Sequence, residues 1–215
     1  MPCQQSHVHH YVPRWYQRRF LPPGQSTFSY LTLHPTIVYS NGVRHERRAL
    51  LRWGPDRCFC QDDLYTLNVG NLSTDVLEKR FFGDIDNRGR AAVKLFGDYG
   101  GTSLEQNVPE AFHNLVRYMD AQRFRTPRGL DRLRAMVQSA SRNETLLIMQ
   151  GVFRFHTTMW AEAVWEIARA RQSPTKFIVT DDPVTFFNHR GFPGLYPYPD
   201  DVGLEHVGTR TSPEP

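Results

Sequence analysis

The sequence predicts an α+β domain, mostly helical, in which a helical bundle packs with a small β-sheet formed by N-terminal strands and a late strand near residues 176–180. Three observations lead there. Alternation fit for strands occupies TFSYLTL at 27–33, helical i, i+3, i+4 spacing dominates from about residue 74 to 172, and the β-branched run KFIVT at 176–180 follows the last helix. The 215 residues are 40% hydrophobic and 13% aromatic, enough for one domain with its own core. That domain is expected to span 1–200. Residues 201–215, which close in TRTSPEP with no core pattern, are expected to form a flexible tail.

Pro13 suits the first turn of a helix, so Arg14 to Phe20 reads as a short one that stops before Pro22-Pro23-Gly24. Residues 27–39 set Phe28, Tyr30 and Thr32 on one side and Ser29, Leu31 and Leu33 on the other, with an interruption at Pro35. Asn41-Gly42 is a hairpin-type turn. Val43 to Trp53 then returns as a partner strand or as a short helix, and the local pattern leaves both open. Asp62 to Val69 reads as a further strand.

Ser73 or Thr74 caps a helix running to about Phe96, with Leu77, Phe81, Ile85, Ala92 and Leu95 on its inner face and Gly83 and Gly89 weakening it. Pro109 opens a second helix with Phe112, Leu115, Val116 and Met119 inward. A third follows Arg125-Thr126-Pro127 with Leu130, Leu133, Met136 and Val137 inward. The longest starts at Asn143 or Thr145, buries Met149, Phe153, Trp160, Val164 and Ile167, and ends at Gln172-Ser173-Pro174. The strand after it must pair with an earlier one, and the expected partner is the N-terminal region. That pairing would deliver Asp181-Asp182-Pro183 to the start of the chain.

Charge is uneven. The formal net charge is +4, yet residues 1–60 hold eight arginines against only Glu46 and Asp56, and the rest of the chain is slightly acidic. Such a quarter suits an anionic ligand or nucleic acid. Cys3, Cys58 and Cys60 are an odd set that fits reduced, structural thiols. No apolar run exceeds an ordinary buried helix, and Met1 to Ser6 lacks the basic-then-apolar pattern of a signal peptide. No membrane partner is expected, and the expected location is cytoplasmic.

Among chemical motifs, the sequence has no Gly-rich phosphate loop, no G-x-S-x-G elbow and no H-E-x-x-H. What it has is His7-Val8-His9-His10-Tyr11. In an extended segment His7 and His9 point to one side and could share a divalent metal completed by Asp182, while His10 points to the other. Histidine also suits proton transfer near neutral pH. His10 as acid or base, Asp181 as its orienter, and Arg14, Arg18 and Arg19 as an anion clamp would make a minimal phosphodiesterase-like or nuclease-like hydrolase. Arg123, Arg125 and Arg128 form a second basic node. It either holds an anion or packs on an acidic neighbour.

The stretch HHYVPRWYQRRF, the RTP segment at Arg125 to Pro127 and VTDDPV at Val179 to Val184 together resemble the bacterial "domain of unknown function 4238" proteins. Members of that family open with a Gln-His-Tyr-Val-Pro-type segment, followed by an aromatic-Leu-basic-x-Phe helix, and later carry a Ser/Thr-Asp-Asn-Pro-Val turn. The match maps to His10, Tyr11, Val12, Pro13, Tyr16, Arg19 and Phe20, then to Thr180, Asp181, Pro183 and Val184. Gln17 stands where the family has leucine, Asp182 where it has asparagine, and the early stop implies a C-terminally truncated member. The resemblance implies no reaction, substrate or cofactor. A second reading therefore stands beside the hydrolase: a non-catalytic module binding nucleic acid or protein, in which the His and Asp motifs are structural.

Overall fold

The computed structural model describes residues 6–98, 108–161, 174 and 177–184, other than 34, 36, 42 and 140. The strands are β1 (Val8–His10), β2 (Phe28–Leu31), β3 (Ile37–Ser40), β4 (Val43–Glu46), β5 (Leu50–Trp53), β6 (Cys60–Asp62), β7 (Leu67–Val69) and β8 (Leu72–Thr74). Helix α1 (Arg14–Gln17) follows β1 and tightens into a 3-10 turn at Arg18–Phe20. A π-helical turn at Leu77–Phe82 runs into α2 (Gly83–Asp98), and α3 (Val108–Phe124), α4 (Pro127–Val137) and α5 (Arg142–Ala161) complete the described helices. The class is α+β.

The strands do not form one sheet. They make four antiparallel two-stranded ribbons: β1 with β6, β2 with β5, β3 with β4, and β7 with β8. Val43 to Trp53 resolves as strands, β4 closing the hairpin at Asn41, whose φ is 52°, and β5 returning along β2 with Phe28 opposite Trp53. The segment expected as one strand at 62–69 is broken by a turn at Asp63, itself left-handed at φ 52°.

The late strand is a correction. Residues 177–180 are described and carry no ladder, and Phe177 and Ile178 are 61% and 80% exposed. A short β-branched run becomes a strand only where a sheet edge accepts it. At the chain start β1 pairs with β6 instead, and of the described residues of the run Val179 packs on the core. Lys176, residues 162–173, the Gly100-Gly101 loop and the 201–215 tail lie outside the described residues.

The core lies where the β1–β6 ribbon and its flanks meet the helices. Tyr11, Val12, Phe59 and Tyr65 pack there with Phe82, Ile85, Tyr118, Phe124, Leu133, Leu146 and Met149. Each such apolar side chain, fully buried, contributes about 1.5–3 kcal/mol. The π turn explains one shift from the expected face. Its wider pitch brings Leu77 and Phe82 inward together and leaves Phe81 half-buried. Gly89 serves packing as well: a Cβ there would stand 2.7 Å from the ring of Tyr118, so α2 and α3 approach closely only because the residue is glycine. Met136, expected inward, is 45% exposed.

Candidate functional site

The His-Tyr-Val-Pro segment is held by backbone hydrogen bonds. His9 is fully buried and stacks on Tyr65, ring centroids 5.4 Å apart and 3° from parallel. Its Nδ1 accepts from the Tyr65 N–H at 2.9 Å, so the ring proton sits on Nε2, which donates to the Ser6 carbonyl at 2.9 Å. Burial lowers the His9 pKa, the Ser6 carbonyl and the charges of Asp63 and Asp75 opposing. Next along the chain, the N–H groups of Tyr11 and Val12 both donate to the Phe59 carbonyl, at 3.0 and 3.5 Å. Phe59 adopts φ 52° to present it, a conformation that costs a bulky residue about 1–2 kcal/mol. Flanking it, Cys58 is fully buried and its thiol pKa is pushed up to about 12 by burial, which fits a structural thiol.

Gln17 completes the turn. Fully buried, it donates from Nε2 to the carbonyls of Val12 (2.7 Å) and Cys58 (3.2 Å). Its amide stands where two carbonyls need a donor.

Arg125 ties this segment to the helices. Only 1% exposed, it donates from Nε to the Tyr11 carbonyl (2.7 Å), from Nη2 to the His10 carbonyl (3.4 Å) and from Nη1 to Asp86 Oδ1 on α2 (2.8 Å). Its guanidinium lies 5.3 Å from the centroid of the Phe82 ring, and its own carbonyl accepts from the Tyr65 hydroxyl at 2.6 Å. Thr126 then caps α4, its Oγ1 accepting from the Gly129 N–H at 2.9 Å, with Pro127 in the first turn. Gly129 is forced: a Cβ would stand 2.0 Å from the Arg123 carbonyl oxygen. Of the two readings of the second basic node, Arg125 takes the packed one, with Asp86 as the acid. Nearby, Glu78 in the π turn has no hydrogen bond or ion pair among the described residues, and burial pushes its carboxyl up to about 7 against the pull of Arg125.

Among the described residues no hydrogen bond or ion pair joins His10 to Asp181, the expected catalytic pair. His10 is half-buried, and among the described residues its Nε2 has no hydrogen-bond partner. Its pKa is lowered by burial and then by the Arg14 charge, the backbone and carboxylate of Asp56 opposing. Asp181 is exposed, and the groups that feel its charge are the phenols of Tyr11 and Tyr30. Arg14 pairs with Asp56 at 2.9 Å, and Arg18 acts on the same carboxylate. Arg19 diverges, its guanidinium lying against Gly97 in the last turn of α2. The metal set is dispersed too. His7 Nδ1 lies 2.9 Å from Asp63 Oδ1, both ring nitrogens of His9 are bonded, and both oxygens of Asp182 face Arg132 Nη2 at 2.9 and 2.8 Å. Among the described residues no group of three or more His, Cys, Asp or Glu is arranged to hold a metal ion.

A different basic feature stands clear of the core. From Phe28 to Trp53 the ribbons form an arm. Its base is pinned by Phe28, buried, and by Tyr30, which stacks on Trp53 (5.2 Å, 19°) and meets Phe59 edge-on. Beyond that base every residue of β4 is exposed, and β3 and β4 pack chiefly on each other. Arg44, Arg47 and Arg48 are exposed and take no ion pair or hydrogen bond among the described residues, while Arg52 donates to the neutral oxygens of Gln25 and Ser29. Tyr39, 70% exposed, lies directly across from Arg44.

The sequence profile described as "Protein of unknown function (DUF4238)" matches residues 8–197. The chain belongs to this family. No curated protein and no solved structure matches it. In this DUF4238 chain the segments that carried the resemblance fall into a single packing scheme. His10 and Tyr11 lend their carbonyls to Arg125, Val12 its carbonyl to Gln17, and the VTDDPV turn docks through the Asp182–Arg132 pair. Among the described residues no helix is long and apolar enough to cross a membrane. Reading the sequence for chemistry passed over Asp86, Tyr65 and Glu78. The first had a signal: an aspartate between Phe82, Ile85 and Gly89, on the inner side of an amphipathic helix, calls for a buried cation from elsewhere.

Proposed function

We propose that this DUF4238 chain is a nucleic-acid-binding module, in which the arm from Phe28 to Trp53 is the contact surface and the His-Tyr-Val-Pro, Arg-Thr-Pro and Thr-Asp-Asp-Pro segments hold the domain behind it. The observation that carries this reading is the set of exposed arm arginines without acidic partners, beside the exposed Tyr39. A two-stranded ribbon fits the major groove of a duplex, and a tyrosine beside an arginine suits stacking on an unpaired base. Arginine on phosphate releases counterions, so affinity follows salt. Fluorescence anisotropy of a labelled oligonucleotide, single- and double-stranded, across a salt series tests it. Engagement of all four arm arginines gives a log–log slope of roughly −3 to −4, and each Arg→Gln lowers it by about one. Binding indifferent to salt would exclude this mode.

A second reading keeps the hydrolase on one specific observation, the unpartnered Nε2 of His10 beside Arg14. In that reading His10 is the acid or base on a phosphodiester, and Arg14 and Arg18 receive the negative charge. Asp56 is the carboxylate beside them, paired with Arg14. The divalent metal finds no support in the donor set, since His7, His9 and Asp182 are each engaged elsewhere. Turnover of bis-p-nitrophenyl phosphate, lost in His10→Ala with the melting temperature unchanged, is the result that would raise this reading above the first.

A further inference from the structure

A second basic feature lies on the opposite side of the sequence, in a cleft that owes nothing to the arm. It is open, has a volume of about 420 Å³, and is bounded by β7, the π turn with the start of α2, and the facing sides of α3 and α5. That size falls within the range of small-ligand sites. One part of its lining is apolar, from Leu67, Val76 and Phe81.

The polar part is unbalanced in charge. Arg80 enters from the π turn and Arg117 from α3, and neither takes a hydrogen bond or ion pair among the described residues. Asp84, the acid in the lining, already accepts from Arg88 at 3.0 Å. Gln150 from α5 donates only at 3.5 Å to the Leu146 carbonyl, so its amide remains able to serve a ligand. The π turn contributes to this layout. Its extra residue per turn brings Leu77 and Phe82 into the core together, while Arg80 and Asp84 remain on the cleft side.

Two arginines from different helices, an amide and an apolar wall make a recognisable set of contacts. Guanidinium groups hold carboxylate or phosphate oxygens through charge-assisted hydrogen bonds, and an apolar wall beside them favours a ligand with a hydrocarbon body. We infer that this cleft binds a small amphipathic organic anion, its carboxylate or phosphate head between Arg80 and Arg117 and its apolar body against Leu67, Val76 and Phe81.

Isothermal titration of the full chain with octanoate, octyl phosphate and, as the neutral control, octanol tests this. The anions should bind with an affinity that falls with salt, and octanol at least tenfold more weakly. Arg80→Gln and Arg117→Gln should each weaken anion binding by about tenfold. Asp84→Asn should tighten it, by about threefold, because it removes the acid from the lining. Lys94→Gln, exposed on α2 outside the cleft, should leave it unchanged, and circular dichroism confirms that each variant is folded. The ratio of octyl phosphate to octanoate affinity assigns the head group, either result supporting the site. Octanol binding as well as the anions, affinity indifferent to Arg80→Gln and Arg117→Gln, or no binding of either anion at about 10 mM would each overturn the inference.

Discussion

Arg125 and Arg44 carry the same guanidinium to opposite ends. The first is buried, with its donors directed to two backbone carbonyls and Asp86, and it joins β1, α2 and the start of α4. The second stands on β4, whose residues are all exposed, and pairs with no acid among the described residues. The donors of Arg125 serve the fold, so substitution there should appear as lost stability. On the arm the side chains serve nothing inside the protein, and substitution should be silent until a partner is added. Residue type therefore decides little here; what surrounds the residue decides.

The largest expected effect is at the buried pair. Arg125→Met leaves Asp86 buried without its cation and unties two carbonyls, and Asp86→Asn strands the guanidinium. Each should cost about 3–5 kcal/mol in chemical denaturation. If Arg125→Met instead lowers stability by less than about 1 kcal/mol, the site is plastic and the contrast with the arm collapses. Gly129→Ala comes next. A Cβ 2.0 Å from a backbone oxygen cannot be relieved by a side-chain rotation, so the α4 start must shift, at about 2–3 kcal/mol. Gly89→Ala should be milder, about 1–2 kcal/mol, since the Cβ meets Tyr118 at 2.7 Å rather than a backbone oxygen at 2.0 Å.

A pH series sharpens the comparison through two groups of opposite sign. His9 is held neutral with its pKa lowered, so just below the ordinary histidine value of about 6.5 the unfolded chain binds more protons than the folded one. Its contribution is intact above that value and lost as pH falls through the lowered pKa. His9→Gln should be less stable at pH 8 and decline less steeply below 6.5. Glu78 is held protonated up to about 7, so its contribution is present below the ordinary glutamate value of about 4.3 and lost as pH rises toward 7. Glu78→Gln should match the native protein at pH 4 and exceed it at pH 8 by about 2 kcal/mol. The Arg→Gln variants of the arm should follow the native curve within about 0.5 kcal/mol.

Much of the local structure was legible. The alternation at 28–31, the Asn41 turn and the helix start at Arg125-Thr126-Pro127 depend on neighbouring residues alone, and each occurs where the local pattern puts it. The late run KFIVT was not, because its state depends on which distant segment lies beside it, and no local pattern records that. The expected pairing of His10 with Asp181 rested on that strand. The π turn moved the buried aromatic from Phe81 to Phe82, one position that a 3.6-residue period cannot find. Arg125 was visible as part of a basic node, but its partner lies 39 residues away on α2, and only the packing of α2 against α3 chooses between Asp86 and an external anion.

The most direct test sets the two regions side by side in one titration. A labelled oligonucleotide at about 50 mM salt is bound by the native chain, by Arg44→Gln/Arg47→Gln/Arg48→Gln and by His10→Ala, with melting temperatures measured on all three. The arm variant should melt with the native protein and lose about a hundredfold or more in affinity, while His10→Ala keeps its affinity. Affinity retained by the arm variant, or lost in a His10→Ala protein that melts normally, would contradict the assignment of the arm as the working surface.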